Sequence, residues 1–160
     1  MSSMADPMDA LVEIQQALNA KTPFDVPELG EGYKTWSIEN SIGKRHVFAK
    51  IINGEIQALS IFGLVDPVDG IECWAVGYAV SERHRRRGLA VEAFRKGLEE
   101  LKRDLSQSKV KSFYVEAVID VGNSPSIRLA EKLFLCTGEK MIDGESGRPA
   151  LWFKRLIVTE

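Results

Sequence analysis

The chain has little of what marks the specialised protein classes. It holds two cysteines, two histidines and six prolines in 160 residues. Cys73 and Cys136 lie far apart with no CxxC and no Cys/His ligand spacing. That excludes a disulfide scaffold and a zinc site, and free thiols in a reducing, cytoplasmic setting are expected. His46 and His84 also lack a partner at ligand spacing, so no metal is expected. No apolar run approaches the roughly 18 residues of a membrane span. The opening residues, MSSMADPMDALVEIQQAL, show no basic segment ahead of an apolar block, so neither a membrane partner nor a secretory leader is expected. Charge of one sign is also not in excess: 21 basic residues against 23 acidic ones leave −2, which argues against general nucleic-acid binding. There is no repeat, low-complexity tract or linker, and the 44% apolar and 28% charged content suits one globular domain over residues 1–160.

What is present is punctuated amphipathic sequence. Asp6-Pro7 reads as an N-cap with proline at the first helical position, and Met8, Leu11, Ile14 and Leu18 recur at helical spacing up to Asn19. Lys21 to Gly32, with Pro23, Pro27, Gly30 and Gly32, reads as a loop, and Tyr33 to Glu39 as a strand. Arg45–Ile52 and Glu55–Phe62 are apolar-rich runs joined by Asn53-Gly54, a type I′ hairpin signal. Asp66-Pro67 through Gly70 reads as a turn, Ile71–Val80 as the next strand, and Gly88 to Leu105 as a long helix with Leu89, Val91, Phe94, Leu98 and Leu101 on one face. Phe113–Ile119 is an apolar strand. Ser124–Leu135 is a helix with Asn123 suited to its N-cap, and Gly144–Gly147 turns into a last strand, Ala150–Val158. This order predicts an α+β fold, layered, with a mixed central sheet flanked by helices.

The basic charge gathers between Arg83 and Arg87, after a strand and before a helix. A strand-to-helix turn with free N–H groups, a helix N-terminus and clustered cations suits a pyrophosphate. Neither G-x-x-x-x-G-K-[ST] nor G-x-G-x-x-G is present. What stands there is Arg85-x-x-Gly88-x-Ala90, directly after Val80. A second block follows, Val115 to Leu133, containing Asn123-x-x-Ser126 and then Leu129-Ala-Glu-Lys-Leu133.

The first block resembles the R/Q-x-x-G-x-G/A acetyl-CoA signature of the GCN5-related N-acetyltransferase (GNAT) superfamily. The second is similar to its N-x-x-S-x-x-x-x-E-K-L segment, in the style of the branch that includes ribosomal-protein N-terminal acetyltransferases. The resemblance is clear over Ile71–Leu133 and elsewhere rests on element order. It implies the acyl-CoA N-acyltransferase fold, acetyl-CoA as cosubstrate and an amine acceptor, and it allows a homodimer. The implied activity is acetyl transfer to a primary amine, a peptide N-terminus or a small molecule. A non-catalytic acyl-CoA-binding module of the same fold is the alternative.

By the same resemblance, the N–H groups of Arg86, Arg87, Gly88, Leu89, Ala90 and Val91 would cradle the diphosphate, with Gly88 admitting close approach. Arg85, with Arg83 beside it, would add charge-assisted contacts. The backbone of Tyr78, Ala79 and Val80 would bind the pantetheine arm and polarise the thioester carbonyl, and Asn123 would bind the arm from the other strand. Glu116 is the leading general base, with Glu72 and Asp120 in reserve. Two residues depart from the family pattern. Ala130 stands where many members place a tyrosine acid, so Ser126 is the candidate acid, and Phe134 stands where a glycine usually ends the E-K-L helix. Trp36, Trp74 and Trp152 read as core or groove-lining aromatics.

Overall fold

The computed structural model describes residues 7–19, 28–41 and 43–159. Asp6, read as an N-cap, and most of the expected loop, residues 20–27, lie outside them. The chain divides into two compact units, one holding Asp6–Gly63 and Gly77–Leu101, the other Leu64–Val76 and Lys102–Glu160.

The first unit opens with helix α1 (Pro7–Asn19), followed by strands β1 (Glu28–Gly30), β2 (Tyr33–Asn40), β3 (Gly43–Ile52) and most of β4 (Glu55–Val68). Antiparallel pairing joins β1 to β2, β2 to β3 and β3 to β4. Asn53 and Gly54 take φ of 52° and 75°, the doubly left-handed geometry of a type I′ turn, and Ile52 pairs with Glu55 across it. Leu11 of α1 is buried with Ala49, Ile56, Leu59 and Ala79, and Met8 and Ile14 pack on the same cluster. Gln15 ties α1 to the hairpin, donating to Gly54 O at 2.9 Å and accepting from Ile56 N at 2.8 Å.

The outgoing part of β5 (Ile71–Val80) and the start of helix α2 (Leu89–Gln107) complete this unit. Leu89 and Ala93 bury against Tyr33 and Ala58, and Ser60 Oγ donates to Ala93 O at 2.8 Å. Gly97 is required here by close approach: a Cβ would stand 2.8 Å from Phe62 and 3.0 Å from Phe48.

The second unit contains a mixed sheet. β5 runs parallel to β6 (Ser112–Asp120) through Cys73↔Tyr114, Trp74↔Val115 and Ala75↔Glu116. β6 pairs antiparallel with β8 (Pro149–Val158) along its whole length, and β7 (Glu139–Ile142) covers the other side of β8. Helix α3 (Ser124–Phe134) packs on this sheet through Phe134, whose ring lies 6.0 Å from that of Phe153. Arg155 Nη1 donates to Leu133 O at 3.1 Å.

Several boundaries differ from the sequence reading. β4 continues through Asp66-Pro67 to Val68, and the turn is made by Asp69 and Gly70 alone, at φ of 51° and 76°. β1 lies inside the expected loop and β7 was not anticipated. α2 begins at Leu89, because Gly88 itself is left-handed at φ +72°. α3 runs through Phe134 and ends at Leu135, a left-handed residue in the place glycine usually takes.

Candidate active site

The basic turn is built on the end of β5. Ala79 points into the cluster around Leu11 and Val80 packs on that around Tyr33, so their side chains belong to the core and their backbone is what a ligand can meet. Burial pushes the Tyr78 hydroxyl up to about 12. Beyond Val80, Ser81 N donates to Gln57 O at 2.9 Å, and a short 3-10 turn covers Glu82–His84. His84 is buried and its Nδ1 shares a 2.6 Å hydrogen bond with Ser81 Oγ.

The arginines then divide. Arg83 Nη2 donates to Glu55 Oε2 at 2.8 Å, and the other oxygen of Glu55 stands 3.6 Å from His84 Nδ1. Arg83 thus shares its charge with Glu55 while its side chain stays largely exposed. Arg85 Nε turns back to Val80 O at 3.4 Å. Arg86 and Arg87 are exposed, and Arg86 takes a left-handed φ of 66°. Sequence reasoning missed Glu55 and Ser81. Ser81 was visible as a hydroxyl at the strand end, whereas Glu55 is 28 residues away with nothing local to mark it.

Gly88 precedes α2 with open space where a Cβ would stand. The first intrahelical bond there is Glu92 N to Gly88 O at 3.1 Å, so the preceding helix amides carry no bond within the helix. A groove of about 390 Å³ starts at Gly88 and continues along α2 past Val91, Glu92, Arg95 and Lys96. A left-handed glycine, an open space over it, helix-start amides without a partner among the described residues and the exposed Arg86 and Arg87 together fit a diphosphate.

The second unit holds the candidate acid–base residues. Glu116 is only 2% exposed, and its Oε1 accepts a hydrogen bond from Cys73 Sγ at 3.4 Å. Across the strand pair stands Lys154, whose ammonium lies over the rings of Trp152 and Tyr114, 4.7 and 5.9 Å from their centroids. The two reserve carboxylates have structural partners: Glu72 Oε2 accepts from Trp74 Nε1 at 3.0 Å, and Asp120 accepts from Gly122 N at 2.7 Å while pairing with Arg148 at 3.0 Å. Asn123 Oδ1 accepts from Ser126 N at 3.3 Å, capping α3, and its side chain is exposed. Ser126 is half-buried in the first turn. Ala130 is fully buried.

Helices packed on a mixed sheet, with an open strand-to-helix turn at Gly88, make an α+β fold of the acetyltransferase kind. The family description "Acetyltransferase (GNAT) domain" matches residues 8–133, and the chain belongs to that family. Among curated proteins none gives a significant match. Similar solved structures include the following. One is the ribosomal L7/L12 alpha-N-protein acetyltransferase RimL in complex with coenzyme A, at 15% identity and TM-score 0.53, covering 72% of this chain and 64% of that one. Another is NAA60 of Arabidopsis thaliana in complex with acetyl-CoA, at 15% identity and TM-score 0.52, covering 95% of each chain. The third, from Salmonella typhimurium, modifies the N-terminal serine of ribosomal protein L7/L12; it has 14% identity and TM-score 0.50, covering 71% of this chain and 64% of that one. At these identities the likeness is one of fold, and the chain spans less than two thirds of the length of the first and third. Among the described residues no helix is long and apolar enough to cross a membrane.

Proposed function

We propose that residues 1–160 act as one cytoplasmic acetyltransferase domain that moves the acetyl group of acetyl-CoA to a primary amine, a peptide N-terminus or a small molecule, within a ternary complex. The observation that carries this reading is Gly88, left-handed, open above its Cα and flanked by the exposed Arg86 and Arg87. These groups, with the N–H groups of Leu89, Ala90 and Val91, bind the diphosphate, and Arg85, exposed on the same turn, adds a charge-assisted contact. The backbone of Tyr78, Ala79 and Val80 holds the pantetheine arm, assisted by Asn123.

In the reaction the amine nitrogen attacks the thioester carbonyl carbon. The C–N bond forms, the C–S bond breaks, and coenzyme A departs as a thiolate. The proton lost by the amine passes to Glu116, directly or through water, and the thiolate takes one from Ser126 or solvent. The fold relatives with N-terminal acetyltransferase names support a peptide N-terminus as the first acceptor to try.

The experiment is acetyl-CoA calorimetry followed by addition of an amine panel, peptides with free N-termini and small primary amines, with free thiol release recorded. Saturable binding with turnover is expected. Unchanged affinity in Gly88→Trp, which fills the open space, would overturn the placement of the cofactor. The buried Ala130, which leaves no hydroxyl at that helix position, favours one other reading, a non-catalytic acyl-CoA-binding module. It predicts binding with no thiol release for any amine.

A further inference from the structure

We infer that Cys73 is a positioning residue for Glu116, its thiol holding one carboxylate oxygen so that the other is presented to the acceptor's proton. The inference rests on the reading of Glu116 as base. Glu116 lies on a strand whose neighbours Phe113, Val115 and Ala117 are buried, and a carboxylate in such a place is costly unless it is hydrogen-bonded. The cation nearest in register, Lys154, directs its ammonium onto the rings of Trp152 and Tyr114. Among the described residues the donor to Glu116 is the Cys73 thiol, at 3.4 Å to Oε1, and none reaches Oε2.

The register makes this contact natural. Cys73 pairs with Tyr114 and Ala75 with Glu116, so Cys73 and Glu116 are diagonal neighbours on one face of the parallel ladder. The thiol is itself fully buried. Burial first, then the charge of Glu116 and the hydrogen bond to it, raise the thiol well above its ordinary value. Cys73 therefore keeps its proton and serves as a donor, not as a nucleophile. With Oε1 occupied, Oε2 is the oxygen left to accept a proton, and the ladder ends beside it at Ala75↔Glu116.

Two measurements test this. In the infrared spectrum of a Cys136→Ala background, the S–H band of Cys73 is expected to sit at the low frequency of a hydrogen-bonded thiol and to move up in Glu116→Gln. A band that ignores Glu116→Gln overturns the contact without reference to any acceptor. In steady-state kinetics with acetyl-CoA and the fastest amine of the panel above, Cys73→Ala is expected to lower kcat roughly tenfold, the worth of one hydrogen bond to a charged group. KM for the amine and Kd for acetyl-CoA are expected to be unchanged, and Cys73→Ser, which keeps a donor, is expected to restore most of the rate. Full activity in Cys73→Ala, or equal loss in both variants with equal loss of thermal stability, overturns the positioning role. Full activity in Glu116→Gln has a different meaning, since it removes the base itself.

Discussion

Arg83 Nη2 donates to Glu55 Oε2 across 2.8 Å, joining the basic turn after β5 to the first residue of β4. Under the proposed function, the affinity for acetyl-CoA would also depend on a residue outside the motif. An exposed ion pair is worth about 0–1 kcal/mol, so Glu55→Ala is expected to weaken binding by no more than about fivefold, through a looser turn. Arg86→Ala and Arg87→Ala remove charge-assisted contacts and are each expected to cost roughly tenfold. Calorimetry with acetyl-CoA ranks the three, and a larger loss in Arg83→Ala than in Arg87→Ala would reverse the assignment of these arginines.

Gly88 separates the cost of backbone conformation from the loss of a ligand. Its φ of +72° is unfavourable for any side chain, yet a Cβ there meets no protein atom. Gly88→Ala is therefore expected to cost about 1–2 kcal/mol of stability. Acetyl-CoA affinity is expected to fall further than stability does in Gly88→Trp, where the side chain occupies the space over the turn. Thermal melts and calorimetry on both variants check this.

Asn123 has one role that can be held constant while the other is removed. Its side chain caps α3 through Ser126 N. Asn123→Ala is expected to lose about 1 kcal/mol of stability, and Asn123→Ser to keep most of the cap. If the amide also binds the pantetheine arm, Asn123→Ser will melt near wild type and bind acetyl-CoA more weakly. Equal affinity for acetyl-CoA in Asn123→Ser and wild type would reduce Asn123 to a cap.

Much of the fold was legible because its signals are local. Asn53-Gly54 demands the doubly left-handed turn that it makes, and Pro125 after Asn123 marks a helix start whatever surrounds it. The strand-to-helix turn at Gly88 was legible for the same reason, since Arg85, Gly88 and Ala90 lie within six residues. What was missed is non-local. β7 is four residues long and has no alternating pattern of its own; it is a strand because β8 pairs with it. Pro67 suggests a break, but proline is tolerated in a strand where its missing N–H is not needed, and Asp69-Gly70 makes the turn instead. The environment of Glu116 is of the same kind. Its partner Cys73 is 43 residues away, and only the parallel register of β5 and β6 brings the thiol to the carboxylate.

Leu135 shows how a helix can end without the family's glycine. Its φ is 58° and it is 73% exposed, so it stops α3 in a left-handed conformation while contributing little packing. Leu135→Gly removes the steric penalty of that conformation and is expected to stabilise the protein by about 0.5–1 kcal/mol, with acetyl-CoA binding unchanged. A rise in Tm in differential scanning calorimetry is the expected result; a fall would mean that the leucine packs in a way its exposure does not suggest.

The half-buried Tyr78 contributes to the loss of stability at high pH, beside Tyr33 and Cys73, whose protons burial also holds. Tyrosine ordinarily loses its proton at 10.0, and burial in the folded chain moves this up to about 12. The folded state thus holds the proton more tightly than the unfolded state does. Its contribution to stability is complete below the ordinary value and is lost as pH rises through the folded one. Melting temperature is therefore expected to fall progressively between about pH 10 and pH 12. Tyr78→Phe, which has no proton to lose, should show a shallower decline over the same range. The absorbance of tyrosinate near 295 nm, followed in wild type and in Tyr78→Phe, identifies the ionisation, and identical pH–stability curves for the two proteins would show that another group carries the alkaline loss.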